Sequence, residues 1–100
     1  MATLQFTWDE DKNRSNQKKH NIGFEEACRV FLDPLHLSVQ DRVEDNEERW
    51  QTIGQVGDVA VVLVAHTIFE DEEDTGPVEV IRIISARLAT RRERKRYENG

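Results

Sequence analysis

Val78-Glu79-Val80-Ile81-Arg82-Ile83-Ile84-Ser85 runs without interruption into Ala86-Arg87-Leu88-Ala89-Thr90-Arg91-Arg92-Glu93-Arg94-Lys95-Arg96-Tyr97-Glu98. The first half is rich in β-branched residues and reads as a strand. The second carries a helix start, because Thr90 with Glu93 three residues on makes a capping box, in which hydroxyl and carboxylate each satisfy a backbone donor. On a regular strand Val78, Val80, Arg82 and Ile84 share one face, and Glu79, Ile81, Ile83 and Ser85 the other. Arg82 thus interrupts an apolar row. The stretch also concentrates positive charge. Between Ser85 and Glu98 six basic residues stand against two acidic ones, leaving eight basic and eighteen acidic residues for the rest of the chain. A basic surface on an acidic body points to a polyanion, either RNA or the acidic part of a protein partner.

Upstream, Leu4, Phe6 and Trp8 alternate with polar residues as in a strand with one buried face. Asp9 then caps a helix with Glu10 and Asp11 in its first turn and Lys18, Lys19 and His20 at its other end, an order that suits the helix dipole. This helix lacks an apolar stripe. Asn21 suits the left-handed position that ends a helix. After Gly23, Phe24, Ala27, Cys28 and Phe31 recur at helical spacing until Asp33-Pro34 stops the pattern. Leu37 and Val39 mark a short strand, and Asp41 to Glu48 reads as a charged loop. Arg49 to Val56, the turn Gly57-Asp58 and the run Val59 to Phe69 make a hairpin. Glu70 to Asp74, followed by Thr75-Gly76-Pro77, reads as a mobile acidic loop. The expected fold is α+β: a mainly antiparallel sheet with two N-terminal helices and one C-terminal helix, its short connections leaving no room for parallel crossovers.

The chain has 100 residues, 37% of them apolar, enough for one modest core, so residues 1–100 read as a single domain. No run approaches the length that spans a bilayer, and Met1-Ala2-Thr3-Leu4-Gln5 lacks a signal-peptide pattern, so no membrane association and a cytoplasmic location are expected. One cysteine, Cys28, excludes an intrachain disulfide. With three scattered histidines it makes no zinc constellation, so neither metal nor cofactor is expected. A net charge of −6 argues against nucleic-acid binding through the whole surface; any such binding is local.

Several residues stand out as candidates. Arg82 is either a partly exposed arginine whose stem covers the sheet or a guanidinium that grips a phosphate. Arg87, just past the strand, sits where a rigid element positions functional groups. Arg91, Arg92, Arg94, Lys95 and Arg96 form a binding rim or a solvated basic helix face, and Tyr97 stacks on a base, acts as an acid, or packs. Lys19 and His20 belong to a second basic cluster that the helix dipole alone would explain. His66, near the end of the central strand, is placed either for proton exchange or for structural hydrogen bonding. Glu93 is explained by its cap, and Trp8, Trp50, Phe24 and Phe31 read as core.

Phe6-Thr7-Trp8-Asp9, Lys12, Asn16, Lys19-His20, Phe24-Glu25-Glu26-Ala27, Val30-Phe31-Leu32-Asp33-Pro34, Glu48-Arg49-Trp50, Ile53-Gly54, His66-Thr67 and Ile81-Arg82-Ile83-Ile84-Ser85-Ala86-Arg87, followed by Thr90-Arg91-Arg92-Glu93, resemble in order and spacing the BrnT toxin family of type II toxin-antitoxin systems. The resemblance implies a RelE-like fold, RNA cleavage that arrests translation, and neutralisation by a cognate antitoxin, usually a ribbon-helix-helix DNA-binding protein. Operator DNA is then bound only through the toxin-antitoxin complex. For metal-free cleavage it favours Arg82 and Arg87 and leaves the proton-transfer roles open, for which the chemistry of their side chains adds Lys19, His20 and His66. Two departures are visible: Asn21-Ile22-Gly23 stands where relatives often carry Gly-Val-Ser, and Glu70 to Asp74 follows where many place an arginine. The acidic segment motivates an alternative, a noncatalytic or weakened toxin homologue acting as an antitoxin-binding corepressor module.

Overall fold

The structure, a computed structural model, describes residues 3–58 and 60–100, so Met1, Ala2 and Val59 lie outside it. The chain runs β1 (Thr3–Thr7), α1 (Glu10–His20), α2 (Phe24–Ala27), a 3₁₀ segment (Cys28–Leu32), β2 (Leu37–Glu44), β3 (Glu47–Val56), β4 (Ala60–Glu73), β5 (Gly76–Leu88) and α3 (Arg91–Glu98). These form one five-stranded sheet in the order β1-β5-β4-β3-β2. The α+β class and the mainly antiparallel sheet are as the sequence indicates. One edge differs: β1 lies parallel to β5, with Phe6 opposite Ile81 and Thr7 opposite Arg82. Parallel pairing needs no direct crossover here, because the whole intervening domain serves as the connection.

Both segments expected to be charged loops are strand. Asp45 and Asn46 take left-handed conformations, φ 52° and 64°, and close β2 onto β3 in a two-residue turn. Glu70 to Glu73 extend β4 and pair with β5 up to the turn at Asp74 and Thr75, where Gly76 takes φ 123°. Register on neighbouring strands satisfies the backbone there, whatever the side-chain charge.

The core lies between the sheet and the α2–3₁₀ unit, where Phe24, Ala27 and Val30 are fully buried against Val64, Ile83 and Ala86. Gly54 permits the close approach, since a Cβ there would lie 2.8 Å from the Val30 carbonyl oxygen. The predicted second helix tightens into 3₁₀ geometry at Cys28 as it crosses β3.

α1 docks differently. Its buried side chains are Asn13 and Asn16, which explains its missing apolar stripe. Asn16 Nδ2 donates to the carbonyls of Ile22 (2.9 Å) and Ala86 (2.8 Å), while its Oδ1 accepts from Ala86 N–H (3.1 Å). β1 ends opposite Arg82, so beyond it the amide of Asn16 takes the place of a neighbouring strand. Asn13 Oδ1 accepts from Phe24 N–H and starts α2. Asn21 ends α1 in the left-handed conformation, φ 58°, as its sequence position predicts. Replacing Asn16 with Ala would orphan three buried backbone partners, so urea denaturation should show a loss of about 2–4 kcal/mol, whereas exposed Ser15→Ala should change stability little.

Candidate functional site

Register decides which side chains share the second face of the sheet, the face turned away from the α2–3₁₀ unit. β5 has one more residue than β4 between the pairs Ala65–Ser85 and His66–Ile83. This bulge at Ile84 resets the alternation. Ala86 turns into the core, and Ser85 and Arg87 join Arg82 on the second face, where plain alternation separates both from Arg82. A second bulge, at Asp41 in β2, sets Arg42 opposite Arg49 on the same face.

Across that face, Arg42, Arg49, Thr67, Arg82 and Thr7 form one lateral row in register. The next row toward α3 holds Gln51, Ala65 and Ser85, and the one beyond it Ile53, Leu63 and Arg87. On the other side of the arginine row lie Phe69 and Val80, then Asp71, whose carboxylate belongs to the acidic hairpin end. Arg49 and Thr67 were not among the residues the sequence singled out. The signal was their place on adjacent strands, which requires the register.

Arg82 is exposed, and no ion pair engages it among the described residues. Arg87 is different. It forms a two-pronged pair with Glu93, at 2.8 and 3.0 Å, and Glu93 also accepts from Thr90 N–H at 2.8 Å. The capping box expected from Thr90 and Glu93 is present. The hydrogen bond from Arg87 chiefly holds Glu93 down to about 2, against the opposing effect of burial, so Glu93 is a poor base near neutral pH.

Lys19 and His20 are exposed at the end of α1, where they line a 180 Å³ crevice with Lys12, Ser15, Asn16, Ile84 and Ser85. It opens along the β5 edge between the rows of Arg82 and Arg87. His66 lies on the opposite face, fully buried. Its Nε2 bonds Thr52 Oγ1 at 2.7 Å, its ring meets Phe31 edge-on, and burial lowers its pKa despite the Thr67 carbonyl. The structure therefore sets Arg82 and Arg87 on one face with Ser85 and turns His66 into the core. It brings Lys19 and His20 to the crevice at Ser85, from which His20 also reaches a second pocket beside Glu26 and Arg29.

On α3, Arg91, Arg92, Arg94, Lys95 and Arg96 are exposed. Tyr97 is not free: its hydroxyl donates to Asp33 Oδ2 at 2.5 Å, which pushes it up to about 12 and pins α3 beside β3. Among the described residues no group of three or more His, Cys, Asp or Glu side chains is placed to hold a metal, and no helix is long and apolar enough to cross a membrane.

Residues 8–93 match the sequence profile described as ribonuclease toxin, BrnT, of type II toxin-antitoxin system. The chain belongs to this family. Its fold is similar to the 1.1 Å crystal structure of the Brucella abortus ribonuclease toxin, BrnT, with a TM-score of 0.60 and 22% identity over 89% of this chain and all of that one. No curated protein sequence matches the chain significantly. Phe69, two residues beyond Thr67 and on the same face of β4, sets an aromatic ring beside Arg82's row.

The Arg87–Glu93 pair sets a pH dependence. Glu93 titrates lower when folded, near 2 against an ordinary 4.5, so its stabilising effect is complete above about 4.5 and disappears as pH falls through about 2. Denaturation midpoints should show the native chain more stable than Glu93→Gln at pH 7, with the gap shrinking below pH ~4.5 and closing near pH ~2.

Proposed function

We propose that this chain is a metal-independent endoribonuclease that cleaves RNA and thereby inhibits translation, with the second sheet face and the crevice beside Ser85 as its working surface. The observation that carries this reading is the bulge at Ile84, which sets Ser85 and Arg87 on the face of exposed Arg82 while Ser85 itself lines the crevice of Lys12, Lys19 and His20. In such cleavage the RNA 2′-hydroxyl attacks the adjacent phosphate, and the 5′-oxygen leaves with a proton. Arg82 neutralises charge as it builds on the phosphoryl oxygens. His20 and Lys19 are the accessible proton-transfer groups. Arg87, already paired, acts through a shared fork, with Glu93 holding it in place. Family membership implies an antitoxin partner, and we infer a ribbon-helix-helix protein that neutralises the toxin in the cytoplasm and carries the complex to operator DNA. The exposed cations of α3 suit contact with RNA or with that antitoxin.

The acidic end of the β4–β5 hairpin favours one competing reading, a weakened homologue that serves as corepressor, because Asp71 lies on the same face two rows from Arg82. Induction of the chain alone should arrest growth. The purified protein should cut single-stranded RNA to 2′,3′-cyclic phosphate ends, and deoxy substitution at the cleaved position should block it. Arg82→Ala should reduce cleavage about 100-fold with an unchanged melting temperature, as its side chain is exposed. Growth inhibition untouched by both Arg82→Ala and Arg87→Ala would refute these assignments. Intact RNA together with sharpened operator binding by the antitoxin would establish the corepressor instead.

A further inference from the structure

Two buried side-chain polar atoms lack a partner among the described residues, Arg49 Nε and Thr67 Oγ1. They belong to residues that face each other directly across β3 and β4. Thr67 is 97% buried, since its exposure is 3%. Both atoms are hydrogen-bond donors, and neighbouring donors left without an acceptor are costly inside a fold. On the far side of Thr67, in the same row, stands Arg82, likewise without an ion pair; Arg42, beyond Arg49, is held by Glu44 at 3.1 Å. Two cations flanking a hydroxyl, with no carboxylate paired to either among the described residues, make a seat for an anion.

We propose that Arg49 and Thr67 bind a backbone phosphate of single-stranded RNA adjacent to the reacting one that Arg82 meets, with a neighbouring base stacked on Phe69. This rests on the ribonuclease reading and extends it from the cleaved bond to the flanking nucleotide. Arg49 and Arg82 stand two strand spacings apart, roughly 10 Å, so the two long guanidinium side chains reach adjacent phosphates on either side of Thr67. Phe69 occupies the next row and is 45% exposed, although an aromatic ring ordinarily packs away from water. With Thr67 it lines a 320 Å³ groove. Phosphate donors beside a bare ring select single-stranded nucleic acid over an acidic peptide, which would need the donors and not the ring. Glu47 and Glu48 line the same groove and neither arginine does, so the groove suits the uncharged base and the phosphate lies on the arginine side of Thr67. The row also adjoins Ser85 and its crevice, so a strand whose reacting phosphate lies there passes over Thr67.

The test is fluorescence anisotropy of the full chain with a labelled single-stranded oligonucleotide carrying 2′-O-methyl riboses, which binds without being cut. Arg49→Ala should weaken binding about tenfold and flatten the slope of log affinity against log salt by about one. Arg49→Lys, which keeps the charge and loses the fork, covers the case in which the alanine variant folds poorly. It should preserve the slope and still lose affinity. Thr67→Val should lose about threefold in affinity while its melting temperature rises, because it removes an unpartnered hydroxyl, and Thr67→Ser should bind as the native chain does. Phe69→Ala should weaken binding about tenfold whatever the base sequence. Arg29→Ala, on the opposite side of the sheet, should have no effect. Native-like affinity in Arg49→Ala and Thr67→Val would overturn the site, as would a loss of antitoxin binding by Arg49→Ala with RNA binding unchanged. Arg49-dependent binding by a chain that leaves ordinary RNA intact would refute the nuclease reading alone. Cleavage and binding indifferent to Arg49 and Thr67 would refute this site alone.

Discussion

The amide of Asn16 holds the domain together at the point where the sheet runs out of strands. β5 continues past the end of β1, and its exposed edge would leave the backbone of Ala86 without partners. Asn16 supplies donor and acceptor to that one residue and donates again to Ile22, so a helix with no apolar stripe is fastened to the sheet edge by geometry instead of burial. Everything proposed for the site depends on this bond. It places Lys12, Lys19 and His20 along β5, and it holds the strand where the bulge at Ile84 redirects the residues on either side.

The two bulges act together. Each adds one residue to an outer strand of its pair, and each brings an arginine onto the second face that strict alternation would have sent to the first. Bulges weaken a ladder locally, and the gain is a face whose rows grade from apolar beneath α3, through small polar residues, to the arginine row, an aromatic residue and finally acids. An extended polyanion meets attraction along only part of that gradient. On the proposed function the acidic hairpin end bounds the RNA surface, and a net charge of −6 is compatible with such a local surface.

Pairing separates the cations by role. Arg87 is bound to Glu93, which is itself committed to the cap of α3, so strand exit, ion pair and helix start form one connected unit. Arg82 and Arg49 have no such partner among the described residues. Tyr97 and Asp33 fasten the other end of α3, whose basic side chains then point into solvent from a helix that buries none of its own residues.

Much of this was legible in the sequence. The cap at Asp9, the left-handed stop at Asn21 and the Thr90–Glu93 box are local, since each depends on hydrogen bonds within a few residues. The apolar alternation of β3 to β5 and the steep segregation of charge are local too, and together they indicated the fold class and the basic end. The order of motifs added the family. The segments from Asp41 to Glu48 and Glu70 to Asp74 were misread as loops because charge and breakers are local signals, whereas the ladder that keeps them extended comes from distant strands. His66 looked like a candidate because a strand position does not reveal which face it will turn, and the register turned it into the core. Arg49 and Thr67 entered only as parts of the family's motifs, and no site role was read from them, for the same reason. Sequence by itself determined which residues are cationic, where the helix caps fall and which fold class they serve. Which cations share a face was decided only by tertiary structure, because a single extra residue in β5 inverts every side chain that follows it.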